Sequence, residues 1–208
     1  MCSASATRRF ATTASAARAN RSKAANTRVR PACEADARAI ADVHVASWQA
    51  AYRGVLSDEY LAALSAERRT AMWREAILGG TPQLLVAERD APQGARVEGW
   101  IAFDRSRDAG APAATGEIWA FYAHPDAWST GVGRALWAGA HAGLRARGFD
   151  TVVLWVLTAN PRARRFYQQL GLVPEPAQLK SFAMGGRILE QIRYTGSLGT
   201  RAPAATCP

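Results

Sequence analysis

Cysteine is scarce in this chain, and Cys2, Cys33 and Cys207 are odd in number, two of them near the termini. That usage indicates neither a disulfide framework nor a zinc cluster. His44, His124 and His141 do not share ligand spacing with one another or with the cysteines, so neither a metal site nor a nucleophile set is expected. No run reaches the ~18 apolar residues of a membrane span, and the N-terminal stretch lacks the roughly 7-residue minimum apolar core of a secretory signal. Acidic residues are absent from positions 1 to 30, which carry Arg8, Arg9, Arg18, Arg21, Lys23, Arg28 and Arg30. Those seven cations supply most of the formal charge of +9, leaving +2 for the remainder and little argument for a basic nucleic-acid face on the folded part. The leader, rich in Ala, Ser, Thr and Arg, cannot bury enough surface to offset the entropy of ordering. A disordered tail or extended upstream start, an organelle-targeting segment and a nucleic-acid arm are its three readings.

What is present is an apolar fraction of 49% in 208 residues, enough for one sizeable core. Three segments are expected: a leader over 1–26, one domain over 27–195 and a flexible tail over 196–208. A short strand at 27–30 is followed by a helix over 34–51, whose Ala37, Ile40, Ala41, His44, Val45 and Trp48 form one stripe. Ser57 caps a second helix, and a third runs over 66–78 to Gly79-Gly80. Strands follow at 83–88 and 96–104, then an exposed loop and a strand at 117–123. A helix to Arg147 carries Leu136, Ala140 and Leu144 inward. The run TVVLWVL at 151–157 reads as a central strand covered on both faces. Asn160 and Pro161 start a helix ending at Gly171, and two strands, 179–184 and 187–194, flank the Gly185-Gly186 turn. One α/β domain without internal repeat accounts for this order.

The stretch GEIWAFYAHPDAWSTGVGRAL at 116–136 is a strand, a glycine turn and a helix start. Glycines admit close backbone approach to an anion, and the unpaired N–H groups of a helix N-terminus offer donors, so a phosphorylated ligand at 128–134 is expected. It is not a dinucleotide fingerprint, since position 136 is Leu rather than Gly, and no GxxxxGK[ST] occurs.

The segments 117–125 and 131–136, with Asn160-Pro161-Arg162-Ala163-Arg164-Arg165-Phe166-Tyr167 and Leu170-Gly171-Leu172, resemble the GCN5-related N-acetyltransferase (GNAT) family. The helix with His44, Ser47-Trp48 and Ala51-Tyr52-Arg53-Gly54 is similar to one branch of it. The resemblance covers about 80% of the chain. It implies a mixed central sheet of six to seven strands, helices on both faces, and a V-shaped splay between the central strands that admits acetyl-CoA. Phe121, Tyr122 and Ala123 would pair with its pantetheine arm, and Trp128, Ser129, Thr130, Gly131, Val132, Gly133 and Arg134 would wrap its pyrophosphate. The family turn usually has Arg or Gln at the place of Trp128, and commonly Gly at that of Ser129.

Acetyl transfer to an amine needs a base for the amine and a proton for the departing thiolate. Glu117 is placed as the base, the other readings being an ion pair with an arginine or simple exposure. Tyr167 resembles the family's tyrosine at the cofactor sulfur, against a purely packing role. Asn160 is either a helix cap alone or a cap that also touches the pantetheine arm. Trp48, Tyr52 and Trp119 are candidates for the acceptor pocket, and His44 faces a neighbour or the substrate. The expectation is a cytoplasmic N-acetyltransferase that moves the acetyl group of acetyl-CoA directly to a primary amine of a small molecule or peptide. No metal, membrane or nucleic acid is involved, and a homodimer is compatible. A non-catalytic acyl-CoA-binding module of the same fold is the alternative.

Overall fold

The computed structural model describes residues 27–92 and 94–199; the leader assigned to 1–26 and residues 200–208 lie outside them. The elements are β1 (Thr27–Pro31), α1 (Ala37–Ala51), α2 (Asp58–Ala62), α3 (Ala66–Gly79), β2 (Gln83–Arg89), β3 (Arg96–Arg105), β4 (Thr115–Ala123), α4 (Val132–Ala146), β5 (Thr151–Leu157), α5 (Pro161–Gln169), β6 (Val173–Met184) and β7 (Arg187–Ser197). They form one seven-stranded sheet in the order β1-β2-β3-β4-β5-β7-β6. Every neighbouring pair is antiparallel except β4 and β5, which are parallel and therefore need the crossover that α4 supplies.

Helices cover both faces. The α4 stripe of Val132, Leu136, Ala140 and Leu144 is fully buried against Phe103, Ile118, Val152 and Leu154. On the opposite face Ile40, Ala41 and Val43 of α1 and Trp73 of α3 pack on Val86, Trp100 and Ala102. A smaller cluster of Tyr52, Leu56, Leu61, Leu157 and Leu189 fixes the end of α1 and α2 over β5 and β7.

Two boundaries differ from those the sequence suggests. β6 begins at Val173, not Leu179, although Pro174 and Pro176 lie within it. Proline removes a ladder donor, which is tolerated because β6 is an edge strand and its pairing with β7 is irregular between Glu175 and Leu179. The last strand continues to Ser197, and the following Leu198 is 2% exposed, its N–H donating to the Asp150 carbonyl at 2.7 Å. Packing therefore extends past residue 195.

His44 sits in the α1 face of the core, stacked on Tyr122 with ring centroids 4.5 Å apart. Its Nδ1 accepts from Trp73 Nε1 at 3.4 Å. Burial, followed by the nearby Arg69, pulls its pKa from 6.5 down to about 3. The unfolded chain thus binds more protons between those values, so stability is complete above pH 6.5 and declines as pH falls toward 3. Carboxylates contribute mainly below pH ~4. His44→Phe, which cannot titrate, should flatten the dependence of unfolding free energy on pH between about 6.5 and 4, as read by denaturant melts across that range.

Candidate active site

The sheet opens at its centre, and a bulge marks the place. Ala102 of β3 faces Ala120, but Phe103 faces Ile118, so Trp119 is an extra residue in β4. Pairing of β4 with β5 stops at the same level, at Ile118 opposite Leu154. Beyond it Ala120–Ala123 stay on β3 while Trp155–Leu157 stay on β7. A bulge bends and twists its strand, and here the two parallel strands diverge where it occurs. The bulge also breaks the inside-outside alternation: Trp119, Ala120 and Tyr122 go to the α1 face, Phe121 and Ala123 to the α4 face.

The ladder decides which main-chain groups face the opening. His124 N–H donates to the Glu98 carbonyl at 2.7 Å. Antiparallel alternation then turns the N–H and C=O of Tyr122 toward β3 and those of Phe121 and Ala123 toward the gap. The expected contact through Tyr122 is therefore corrected: its main chain belongs to the β3 ladder, and its ring is enclosed by His44 and Trp100. The Ala123 carbonyl is also occupied, accepting from Ser47 Oγ at 2.7 Å and Trp128 Nε1 at 2.9 Å.

The turn after β4 leads into an uncapped helix. Gly131, the N-cap of α4, has φ 98° and offers no side-chain cap, so the N–H groups at the start of α4 (Val132, Gly133, Arg134) are free of the usual capping partner. A 15-residue helix presents a favourable partial charge there, which suits an anion such as a pyrophosphate. Ser129 adopts φ 62°, the left-handed conformation for which glycine is the unstrained choice.

At two of the expected phosphate contacts the main-chain N–H is already engaged within the turn. Trp128 N–H donates to the Pro125 carbonyl at 3.1 Å and Thr130 N–H to that of Ala127 at 3.3 Å. The Thr130 hydroxyl is held by Arg89 at 2.9 Å and Ala127 at 2.7 Å. The Trp128 ring lies under the Arg162 guanidinium, 4.5 Å from the centroid, so a cation from α5 stands beside the turn where the side chain at 128 supplies none.

Gly133 lets α5 come close. A Cβ there would lie 3.1 Å from Phe166 Cζ and 3.3 Å from its Cε2. Gly133→Val should therefore overpack this contact and lower unfolding free energy by roughly 1–3 kcal/mol, measured by chemical denaturation.

α5 begins with Asn160 as its cap, the side chain accepting from Ala163 N–H at 3.0 Å, and Pro161 at the first position. Asn160 Nδ2 also reaches the Tyr52 hydroxyl at 3.5 Å, tying α5 to the end of α1. Tyr167, about two turns on, is 8% exposed among Phe121, Phe166 and Tyr194. No described residue hydrogen-bonds its hydroxyl. Burial, and then proximity of Tyr52 and Tyr122, pushes its pKa up, so the hydroxyl keeps its proton and remains a donor.

On the α1 face of the opening lies a cavity of about 260 Å³ lined by Arg107, Asp108, Glu117, Trp119, Trp155, Lys180, Gln191 and Ile118. Glu117 is 2% exposed. It accepts from the Arg107 N–H at 2.7 Å and Nε at 3.2 Å and forms an ion pair with its Nη2. The ion-pair reading of Glu117 is thus realised. Asp108 accepts from Lys180 Nζ at 2.7 Å and from Trp155 Nε1 at 3.0 Å, and lies 3.1 Å from Arg193 Nε. Burial alone would raise its pKa, but the bonds from Lys180 and Trp155 outweigh it and hold the carboxyl below its ordinary value.

Of the three aromatic residues expected at an acceptor pocket, Trp119 alone lines this cavity. Trp48 and Tyr52 meet edge to face in the cluster beneath α2, with centroids 5.1 Å apart. Arg107, Asp108, Trp155, Lys180 and Arg162 are the residues the sequence did not single out. They come from a loop, β5, β6 and α5, and only the order β5-β7-β6 brings Lys180 toward Trp155. Among the described residues no group of His, Cys, Asp and Glu could hold a metal ion, and no helix is long and apolar enough to cross a membrane.

A sheet parted between two parallel strands, with a helix N-terminus at its mouth, is the frame of an acyl-CoA-type transferase fold. Residues 45–172 match the sequence profile of the acetyltransferase (GNAT) family, and the chain belongs to that family. It is 31% identical over 166 residues to the uncharacterized N-acetyltransferase YuaI of Bacillus subtilis, an alignment covering 79% of this chain and 89% of that protein. The fold is shared with the PaiA N-acetyltransferase of Thermoplasma acidophilum, solved in complex with coenzyme A, at a TM-score of 0.65 and 19% identity over 82% of this chain and 98% of that one. The yncA protein of Salmonella typhimurium, solved with acetyl-CoA, gives 0.62 and 23% over 88% and 99%.

Proposed function

We propose that this protein transfers the acetyl group of acetyl-CoA directly to a primary amine. The observation that carries the reading is the coincidence of three features at one opening: main-chain groups of Phe121 on β4 turned to the gap, the uncapped start of α4, and the unpartnered hydroxyl of Tyr167 on α5. Coenzyme A and acetyl-CoA in the PaiA and yncA structures support the donor. The N–H groups of Gly131, Val132, Gly133 and Arg134 take the pyrophosphate, with Arg162 as the neighbouring cation. Asn160 and Phe121 contact the pantetheine arm.

In this reading the thioester C–S bond breaks as the amide C–N bond forms. Glu117 takes the proton released by the attacking amine, directly or through water, after Arg107 gives way. Tyr167 supplies the proton for the departing sulfur. No cysteine is among the residues that line the cavity, which favours direct transfer over a cysteine acyl-enzyme.

The second reading is binding without turnover, favoured by the saturation of Glu117 with Arg107 and by the inward turn of the Trp128 indole N–H. Calorimetry with acetyl-CoA, together with thiol release over a panel of amines, separates them. Amine-dependent release supports the transferase; binding with no release supports the non-catalytic module.

A further inference from the structure

The cavity on the α1 face is built from two matching units. In one, the Arg107 guanidinium lies 4.3 Å from the centroid of Trp119 and is paired with Glu117. In the other, the Lys180 ammonium lies 3.7 Å from the centroid of Trp155 and is paired with Asp108. Each indole N–H is already engaged, Trp119 with the Arg105 carbonyl at 3.1 Å and Trp155 with Asp108, so neither ring brings a free N–H donor to the cavity.

The charges are layered. The carboxylates lie behind, with side chains 3% exposed for Glu117 and 16% for Asp108, while Arg107 and Lys180 stand in front at 53% each. Arg193 is held at the back, 18% exposed, by Asp108 and Glu175. The carboxylates are therefore engaged from within the protein, and the groups with N–H donors left to offer are the two cations in front. An entering ligand meets positive charge first. A second ammonium gains little from carboxylates that already have partners, whereas an anionic group can bind both cations and, by sharing Arg107, loosen its hold on Glu117.

Resting on the transferase reading, we propose that the acceptor is an amino-acid-type molecule, carrying its primary amine and a carboxylate together. The carboxylate binds Lys180 and Arg107, and the side chain lies against the indoles of Trp119 and Trp155 that line the same cavity. The amine then points toward Glu117 at the β4–β5 opening. The volume of about 260 Å³ suits a single amino acid. Lys180 is a specificity residue here, acting through the carboxylate and not on the reacting atoms.

Matched pairs test this: leucine against isoamylamine, and phenylalanine against phenethylamine, which differ only by the carboxylate. Turnover with acetyl-CoA should favour each amino acid by about tenfold or more in kcat/KM once the acceptors are compared at equal free-amine concentration, the effect of one charge-assisted contact. Lys180→Met should lower that ratio severalfold, leaving the share that Arg107 supplies, and Lys180→Arg should keep it. Calorimetry of the same four compounds against the protein saturated with coenzyme A reads the preference without turnover. A silent enzyme that still binds the amino acids more tightly upholds the acceptor class while rejecting the transferase. Equal or tighter binding of the decarboxylated amines, or a ratio unchanged in a folded Lys180→Met variant, overturns the proposal.

Discussion

Tyr167→Phe is expected to lower turnover by roughly 100-fold while leaving affinity for acetyl-CoA within about twofold. The ring is what packs: Phe121, Phe166 and Tyr194 surround it with centroids 6.4, 5.7 and 6.1 Å away. Phenylalanine preserves those contacts and removes only the hydroxyl, to which no described residue is bonded. A hydroxyl without a protein partner contributes little to folding by hydrogen bonding, so the melting temperature should hardly move. Its raised pKa keeps it protonated across the working range, so the loss should be uniform with pH and not appear as a shifted limb. Stopped or steady-state thiol release, with acetyl-CoA affinity from calorimetry, separates the two quantities. A parallel loss of binding and rate would make Tyr167 a wall of the donor site and nothing more.

Glu117→Gln should have an effect of similar size with a different signature. The amide accepts at one end and donates at the other, yet both oxygens of Glu117 now receive N–H groups of Arg107. The variant therefore places a donor against a donor in a site where Glu117 is 2% exposed, and some loss of stability, on the order of 1–3 kcal/mol, accompanies the change. Its rate per folded molecule should also fall by roughly 100-fold, because the proton acceptor is gone. The residual rate should then rise with pH simply as the fraction of unprotonated amine rises. Were Glu117 only the partner of Arg107, stability would drop and the rate per folded molecule would stay as in the parent.

Local chemistry made the frame of this site legible in the sequence. The glycines at 131 and 133, the Asn160-Pro161 cap and the i, i+4 stripe of Leu136, Ala140 and Leu144 each act within a few residues, and each stands where it was expected. Ser129 was visible as a departure from glycine, and its φ of 62° gives that departure its physical meaning.

The rest depended on parity and on distant pairing. Tyr122 lies between Phe121 and Ala123 in sequence, but strand alternation, shifted by the extra residue at Trp119, turns it away from them. Glu117 meets Arg107 because the loop after β3 folds back, and its nine residues, SRDAGAPAA, carry no sign of that contact. Lys180 meets Trp155 and Asp108 across three separate elements, one of them a strand whose start two prolines conceal.

Acetyl-CoA labelled in its acetyl group, incubated with the protein and an amino-acid acceptor, tests direct transfer to the amine most squarely. The label should be recovered as an amide on the acceptor, one for each thiol released, with none retained on the protein. Label trapped on a protein side chain, or acetyl-CoA bound and returned intact in the presence of the acceptors, would contradict direct N-acetyl transfer at the β4–β5 opening.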